Sequence, residues 1–327
     1  MRSGLTSSHM AFPAAARTAG APSDLAWPLG ALALGAAAMG LSPVLVRWSA
    51  AEVGPVASAF WRVLLALPAL WAWTRAEEMT AARRAPGPAA PGQGGAAAVA
   101  AAGIAFAGDL VFWHLAIGAT TVANATFFAT TAPVFVLAIG WFALRRRPAP
   151  ATLGGLLLCL AGGAALIGQS ARVDPARLSG DACGIVTAAF FATYMLCVER
   201  ARASSGPGRV TFGLTGVAAA ILLPIALAAD PGRFWPPTAE TWAVLGALGI
   251  VSHAGGQGLL SVALGRLPVG FSSLVIFLEA IVAAVAGILL LGEAVVPVQL
   301  AGGVLIVAGI WVARPKPAGP AAAEPAA

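Results

Sequence analysis

The chain contains an internal repeat, because residues 112–163 align without gaps with residues 259–310. The aligned pairs include Pro150/Pro297, Leu153/Leu300, Gly155/Gly302, Leu158/Leu305 and Gly162/Gly309. Gly matches are common by chance in a chain with 39 Gly, whereas a matched Pro and a constant register are harder to obtain. Both copies are apolar enough to cross a membrane, and an internal repeat of membrane spans is typical of secondary transporters.

The composition places most of this chain in lipid. Of its 327 residues, 59% are hydrophobic and only 10% are charged, whereas a soluble protein carries about 25% charged residues. The net charge of +6 does not indicate nucleic-acid binding, because the Arg residues lie in loops between apolar runs. The three Cys residues lie in apolar segments without metal-ligand spacing, which is typical of small buried side chains.

A window of about 20 apolar residues, the length that crosses a bilayer, predicts ten transmembrane helices. Trp residues cluster near their ends, as expected of an aromatic belt, whereas Trp61 and Trp113 fall inside spans and are candidates for interior roles. We therefore predict an all-α integral membrane protein. The predicted spans are 27–46, 54–74, 96–117, 121–144, 150–169, 181–199, 210–229, 240–263, 269–291 and 297–313.

The distribution of basic residues predicts the orientation. With both termini in the cytoplasm, the inside segments hold 14 Arg and Lys residues, and the outside loops hold three, namely Arg172, Arg177 and Arg233. The loop after span four, "LRRRPAP", has three Arg, whereas its equivalent after span nine, "LGEAVVP", has none. If the two five-span copies insert in opposite directions, the first of these loops is cytoplasmic and the second is external, which explains the difference in Arg content.

The predicted organisation has four parts. Residues 1–26 form a disordered cytoplasmic leader, and residues 314–327 form a disordered Pro/Ala-rich tail. Residues 27–169 form the first five-helix repeat, and residues 181–313 form the second, inverted repeat.

Several segments resemble the EamA-type transporters of the drug/metabolite transporter superfamily. They are "FWRVLLALPAL" with Arg62, "GDACGIVTAAFFATYMLCVER", "LEAIVAAVAGILLLGE" with Glu279 and Glu293, and "VQLAGGVLIVAGIWVA". The resemblance covers nearly the whole length. It implies ten helices, cytoplasmic termini, a central cavity between the repeats, and export of small metabolites.

The chain departs from this family pattern at three places. Ala280 follows Glu279 where the family usually has Pro, so the resemblance implies a straighter span nine here. Ala132 stands at the position equivalent to Glu279, and Arg145–Arg147 replaces a Glu that often follows span four. The two halves are therefore expected to be less symmetric than usual.

Arg62 and Asp109 are ionisable residues inside predicted spans, where each costs about 2.5–3.5 kcal/mol on insertion scales. At 1.5 Å per residue, Arg62 lies about 12 Å from the outer face of the membrane, and Asp109 lies about 10 Å from the same face. This similar depth predicts a buried ion pair. The alternatives are a snorkelling Arg62 and a cavity acid at Asp109.

Glu279 and His253 are also deeply placed. Glu279 lies about 15 Å into span nine, near the midplane, where secondary transporters bind substrate. It is a candidate ligand for an amine or a carrier of exchanged protons, and the alternative is a protonated carboxyl bonded to a neighbouring helix. His253, with Gln257 on the same helical face, is either an interior hydrogen-bonded residue or a ligand.

Neutral polar and aromatic residues complete the candidate site. Polar residues in membrane helices often bridge helices, and aromatic residues often serve packing, so each has a structural alternative. The substrate-binding residues predicted from the sequence are Asp109, Trp113, Asn124, Phe128, Thr131, Phe190, Tyr194, His253, Gln257, Ser273 and Glu279.

The sequence favours a secondary transporter of the bacterial inner membrane that exports small organic metabolites, such as amino acids, by alternating access. A channel-like facilitator or an importer of the same fold is the alternative. An intramembrane enzyme is disfavoured because no HExxH or GxSxG motif occurs and the adjacent Ser252 and His253 point about 100° apart on a helix. We expect no cofactor, metal or nucleic acid; the partners are a small-molecule substrate and lipid. The chain is expected to be a monomer or a weak homodimer, and proton coupling is left open.

Overall fold

The computed structural model describes residues 22–84, 93–167, 175–291 and 297–315, and all regular structure within these ranges is helical. Nine of the described helical segments are long and apolar enough to cross a membrane, and Pro297–Ala313 is a shorter apolar helix. The predicted all-α fold of ten membrane helices is confirmed. Most of the predicted leader and tail, together with Arg172 and Glu293, lies outside the described residues.

The ten helices follow one another along the chain with short connections. Three of them, α1, α4 and α9, contain an interruption, whereas α8 is continuous but changes to π-helical hydrogen bonding over Leu248–Gln257. The bounds are α1 (Pro22–Gly40 and Ser42–Val53), α2 (Pro55–Arg84), α3 (Gln93–Ala119), α4 (Val122–Thr130 and Ala132–Phe142), α5 (Pro150–Ile167), α6 (Leu178–Arg202), α7 (Pro207–Ala229), α8 (Ala239–Ala247, Leu248–Gln257 and Gly258–Leu264), α9 (Val269–Val275 and Leu278–Leu291) and α10 (Pro297–Ala313).

Helix α1 extends beyond its predicted end at residue 46. The sequence predicts an end there because Arg47 follows, but the helix continues to Val53. The Arg47 guanidinium is exposed and donates a hydrogen bond of 2.9 Å to the carbonyl of Thr120, so its charge lies at the edge of the helix bundle. A charged residue near a span end therefore marks the interface with water and leaves the helix intact.

Helix α9 is interrupted at Ile276–Phe277, so the absence of a Pro after Glu279 does not make this helix continuous. Tight bonds between residues three apart replace the usual ones there: the Phe277 amide donates to the Leu274 carbonyl at 3.1 Å, and the Glu279 amide to the Ile276 carbonyl at 2.8 Å. Such turns form without Pro. In α4 the interruption at Thr131 precedes Pro133, which supplies no amide hydrogen.

Helices α5 and α10 pack antiparallel through matched glycines. A Cβ atom added to Gly155 would lie 2.5 Å from the Gly309 carbonyl oxygen, and one added to Gly162 would lie 2.5 Å from the Gly302 carbonyl oxygen. Since Gly155 is equivalent to Gly302, and Gly162 to Gly309, the two contacts are related by a pseudo-twofold axis. The Cys159 thiol, between them, contacts the carbonyl of its own equivalent, Ile306, at 3.6 Å. This geometry shows that the two copies have opposite directions.

Helices α2 and α7 are also antiparallel, and a carboxylate from each caps the first turn of the other. Oδ2 of Asp230, after the end of α7, accepts hydrogen bonds from the amides of Val56 (3.0 Å) and Ala57 (2.9 Å). Both carboxylate oxygens of Glu77, near the end of α2, accept from the Gly208 amide at 3.0 Å. We call these contacts the Asp230 cap and the Glu77 cap; they lie at opposite ends of the α2–α7 pair.

Each of the two capped helices begins with a Gly–Pro pair. Gly54 has φ of 82°, a conformation that favours glycine, and a Cβ atom there would lie 2.5 Å from Asp230. A Cβ atom on Gly206 would lie 2.6 Å from Glu77. Both carboxylates thus approach the helix starts where no side chain obstructs them.

The Trp residues follow the prediction closely. Trp27, Trp235 and Trp311 are at least 62% exposed, as expected of side chains at a lipid interface. Trp61 and Trp113 are 6% and 8% exposed, and both lie inside the helix bundle. Helices α1 and α8 approach closely at glycines, because a Cβ atom on Gly35 of α1 would lie 3.0 Å from the Gly256 carbonyl oxygen.

Candidate functional site

A cavity lies among α1, α2, α3, α4, α6, α8 and α9, where the interruptions of α4 and α9 face the middle of the bundle. Its volume is about 40 Å³, which holds water but is too small for a metabolite. In this conformation the site therefore has no room for a metabolite. The lining residues are Met39, Ser42, Arg62, Asp109, Trp113, Ala129, Thr130, Thr187, Phe191, Gln257, Ile276 and Glu279.

Arg62 is the cationic residue of the cavity. It is 3% exposed, and one terminal nitrogen donates a long hydrogen bond of 3.4 Å to Ser252 Oγ, which in turn donates to Ser42 Oγ at 2.8 Å. The guanidinium carbon lies 5.5 Å from the centre of the Trp113 ring. Nε of Arg62 has no hydrogen-bond partner among the described residues. The guanidinium therefore retains a donor for a further acceptor.

Asp109 and Glu279 are the two acidic residues of the same cavity. Asp109 is 5% exposed, and Glu279 is half-buried in the first turn after the interruption of α9. Both residues line the same cavity as the Arg62 side chain. Glu279 lies one residue after the helix resumes at Leu278, and it lines the cavity there.

The predicted direct ion pair between Arg62 and Asp109 is not formed in this conformation. No salt bridge joins them among the described residues, although both line the cavity. The guanidinium is instead turned toward Ser252 and lies near the ring of Trp113. Depth along two helices places both groups in one layer of the membrane, but the side-chain rotamers decide whether they touch.

Gln257 is part of the cavity, whereas its neighbour Tyr194 supports it from behind. The Tyr194 hydroxyl donates to Gln257 Oε1 at 3.0 Å, and its ring packs against Phe106 at a centroid distance of 4.9 Å. Tyr194 is fully buried and does not line the cavity. It orients the Gln257 amide, because that hydrogen bond fixes which end of the amide faces the cavity.

His253 is a buried bridging residue in this structure. Its Nε2 lies 2.9 Å from Thr215 Oγ1 of α7, and its ring centroid lies 5.2 Å from that of Phe106. Ser252, adjacent in sequence, bonds to Ser42. The two side chains therefore have different partners, as their helical spacing predicts. Among the described residues, no group of three or more His, Cys, Asp or Glu side chains could hold a metal ion.

Five further predicted residues lie outside the cavity lining. Asn124 donates to Asp181 Oδ1 at 3.4 Å, and Thr131 donates to the carbonyl of Phe128 at 2.6 Å. Ser273 donates to the Gly270 carbonyl at 3.0 Å, and Phe190 stacks on Phe112 at 5.8 Å. In this conformation Asn124, Phe128, Thr131, Phe190 and Ser273 hold helices and turns together.

Ser42, Thr130, Thr187 and Phe191 line the cavity, but the sequence does not single them out. Ser42 precedes Pro43 at the interruption of α1, and Thr130 precedes the interruption of α4. A small polar residue beside a helix break is the signal that points to both. Thr187 and Phe191 stand one turn apart on α6, and they carry no comparable signal.

The fold and cavity define a multi-pass membrane protein in which two opposed copies surround a polar centre. A sequence profile of the EamA-like transporter family matches residues 26–168 and again residues 178–314. The chain belongs to the EamA-like transporter family.

Individual relatives are similar over part of the chain. The threonine/homoserine exporter RhtA of Escherichia coli (strain K12) is 30% identical over 201 residues, which are 61% of this chain and 64% of that protein. An uncharacterized transporter of Archaeoglobus fulgidus is 30% identical over 200 residues, which are 61% of this chain and 69% of that protein. The matched region thus spans slightly less than two thirds of the exporter's length.

A crystal structure of another protein shares the fold. Its TM-score is 0.70 at 20% sequence identity, and the match covers 86% of this chain and 94% of that chain. The likeness extends over both copies and therefore supports the arrangement of the helices as a whole.

Proposed function

We propose that this protein is a secondary transporter that exports amino acids or related small metabolites across the bacterial inner membrane by alternating access. The observation that carries the proposal is a small central cavity that presents one guanidinium and two carboxyl groups, Arg62, Asp109 and Glu279. The similarity to threonine/homoserine exporters supports the substrate class.

The cavity suits a small molecule with a carboxylate and an amine. Arg62 retains an Nε donor for a carboxylate, and guanidinium–carboxylate contacts are strong, directional hydrogen bonds. Asp109 and Glu279 are the acceptors for an ammonium group, and Trp113 forms an aromatic wall beside them. Glu279 stands at an interruption of α9, as expected of a ligand-binding residue on a divided helix.

The two helix caps supply a mechanism for alternating access. In this conformation the Asp230 cap and the Glu77 cap are both formed, and the cavity is too small for substrate. Releasing one cap separates α2 from α7 at one end only, because the other cap still holds the opposite end. Substrate binding between the copies then favours one opening or the other.

Proton coupling is part of the proposal through Glu279. A carboxyl group in the cavity either binds the amine of the substrate when ionised or carries a proton when the substrate has left. A substrate amine and a proton cannot occupy the same carboxyl group together. Exchange of one for the other at Glu279 therefore couples substrate transport to proton transport.

Proteoliposome counterflow tests the transport function. Vesicles preloaded with a high concentration of one unlabelled amino acid are diluted into its labelled form, and accumulation of label above equilibrium indicates a carrier. We expect accumulation for small amino acids, including threonine and homoserine, and none for nucleosides or cationic drugs. Equilibration without accumulation would indicate a channel-like facilitator and contradict the proposal.

The proposed orientation has both termini in the cytoplasm. It rests on the Arg residues at or just after the ends of α4, α6 and α10. Impermeant maleimide labelling of intact cells tests it in a Cys-free background. Gly232→Cys, in the loop after α7 where a side chain meets no neighbour within 4 Å, should be labelled from outside. Ser204→Cys, exposed in the loop after α6, should be labelled only after lysis; the reverse pattern would overturn the orientation.

A further inference from the structure

A second cavity lies at one end of the bundle, apart from the central site. Its volume is about 450 Å³, and it shares no lining residue with the central cavity. Residues from the end of α4, the start of α5, the end of α6, the start of α9 and the end of α10 line it, and we call it the terminal groove. The lining residues include Val136, Leu137, Arg146, Arg147, Glu199, Val269, Ala313 and Arg314.

The terminal groove carries an excess of positive charge. Arg146 donates to Glu199 at 2.6 Å, so this pair is internally compensated. Arg147 and Arg314 have no carboxylate partner in the part of the chain that the structure describes. The Arg314 guanidinium lies 3.5 Å from the centre of the Trp311 ring, which holds it at the rim. Two guanidinium groups thus remain available to an anion.

The wall of the terminal groove is apolar. Val136 and Leu137 of α4, Val269 of α9 and Ala313 of α10 line it beside the Arg side chains. Trp311 is 64% exposed and lies at the end of α10 that carries Ala313 and Arg314, which indicates that this end lies at the lipid–water interface. A soluble anion uses only the charges, whereas an occupant with an acyl chain uses both the charges and the wall.

We propose that the terminal groove binds an anionic phospholipid, with its phosphate at Arg147 and Arg314 and an acyl chain along the apolar wall. Basic pockets between membrane helices recognise such headgroups. The lining comes from both copies, because α4 and α5 belong to the first and α9 and α10 to the second. A bound lipid therefore links the two copies at one end. The proposal does not depend on the substrate of the central cavity.

Lipid titration of the purified full-length protein tests the proposal. Phosphatidylglycerol and phosphatidylcholine with identical acyl chains are compared by native mass spectrometry and by the apparent melting temperature in detergent. We expect phosphatidylglycerol to bind and to raise the melting temperature, and phosphatidylcholine to do neither. Inorganic phosphate at the same concentrations should not compete; full competition would show that the groove takes a soluble anion and would overturn the proposal.

Two substitutions locate the lipid. Arg147→Gln and Arg314→Gln should each weaken phosphatidylglycerol binding about five-fold, the effect of losing one basic residue near an anionic headgroup. Arg145→Gln is the matched control, because it removes the same charge from the adjacent position, which does not line the groove. Equal weakening in all three variants would indicate a general charge effect, and unchanged binding in the first two would place the lipid elsewhere. Either result would overturn the proposal. Gel filtration confirms that each variant is folded.

Discussion

The two copies can be compared position by position, because Pro55 and Pro207 begin α2 and α7, and Pro150 and Pro297 begin α5 and α10. One helix interruption occurs at the same place in both copies. The interruption in α9 ends directly before Leu278, the residue equivalent to Thr131 at the interruption of α4. The repeated backbone therefore specifies a divided helix in each copy, with Pro133 in one copy and without a Pro in the other.

The charges of the central cavity do not repeat. Counted from the helix starts, Arg62 corresponds to Leu214, and in the register of the α5–α10 pair Asp109 corresponds to Gly256. Glu279 likewise corresponds to Ala132. Each ionisable residue of the cavity thus has an apolar equivalent. The comparison shows how duplication of one scaffold gives a single polar site instead of two.

The helix caps do repeat, within one residue. Glu77 corresponds to Ala229, and the capping Asp230 follows directly. Features that hold the copies together are kept in both halves, whereas features that contact the cavity occur in one. We therefore predict that the same kind of substitution, made at equivalent positions of the two copies, lowers stability equally where the residues hold the copies together. At positions that line the cavity, the two losses should differ.

The largest loss of stability is expected at Arg62. Arg62→Met leaves two carboxyl groups in one cavity without their cation, and stranding buried charge in this way costs about 3 kcal/mol. Leu214→Met, at the equivalent position, conserves volume and should cost less than about 1.5 kcal/mol. Apparent melting temperatures in detergent measure both, and equal losses would contradict the asymmetry.

A double-mutant cycle sharpens this expectation. Asp109→Leu added to Arg62→Met should restore part of the lost stability, because it removes one of the two stranded acids. The two residues share the cavity without a direct salt bridge, so their interaction acts across the cavity. Strictly additive losses would show that they do not interact.

An intermediate and symmetric loss is expected at the α5–α10 contact. Gly155→Val and Gly302→Val each place a side chain against a backbone carbonyl, and overpacking of this kind costs about 2 kcal/mol. Gly154→Val is the control, because a Cβ atom there meets nothing within 4 Å. Melting temperatures that fall for one glycine of the pair and not for the other would break the pseudo-twofold relation.

The smallest loss is expected at the caps. Asp230→Ala and Glu77→Ala each remove a carboxylate acceptor from a helix start, which costs about 1 kcal/mol. Glu78→Ala is the control for Glu77, because Glu78 pairs with exposed Arg75 and Arg209 instead of a helix start. Thermal unfolding in detergent measures the three variants. An effect of Glu78→Ala as large as that of Glu77→Ala would contradict the capping role.

Much of the architecture follows from sequence, because length and polarity are sufficient to locate membrane helices. The ten helices and the interior placement of Trp61 and Trp113 are examples. The α9 interruption does not follow, since backbone hydrogen bonds form it without a Pro residue.

Which face of each helix meets the cavity is harder to predict. Helices that are apolar all round give little periodicity by which to orient them. Asn124 and Thr131 are polar residues on α4, yet they bond to neighbouring turns and helices outside the cavity. Thr130, one residue away from Thr131, lines it. Adjacent residues of a helix point about 100° apart, so Thr130 faces the cavity while Thr131 makes a structural contact.

Transport by Glu279→Gln in proteoliposomes tests whether substrate binds at the charged central cavity. The variant keeps shape and hydrogen bonding at the cavity but cannot ionise. Ser273→Ala is the control on the same helix, since Ser273 bonds to the Gly270 carbonyl away from the cavity. We predict that folded Glu279→Gln loses at least about ten-fold in amino-acid counterflow, the effect of about 1.4 kcal/mol at the substrate, while Ser273→Ala retains it. A folded Glu279→Gln with unchanged rate and pH dependence would show that the single charged site is not where substrate binds.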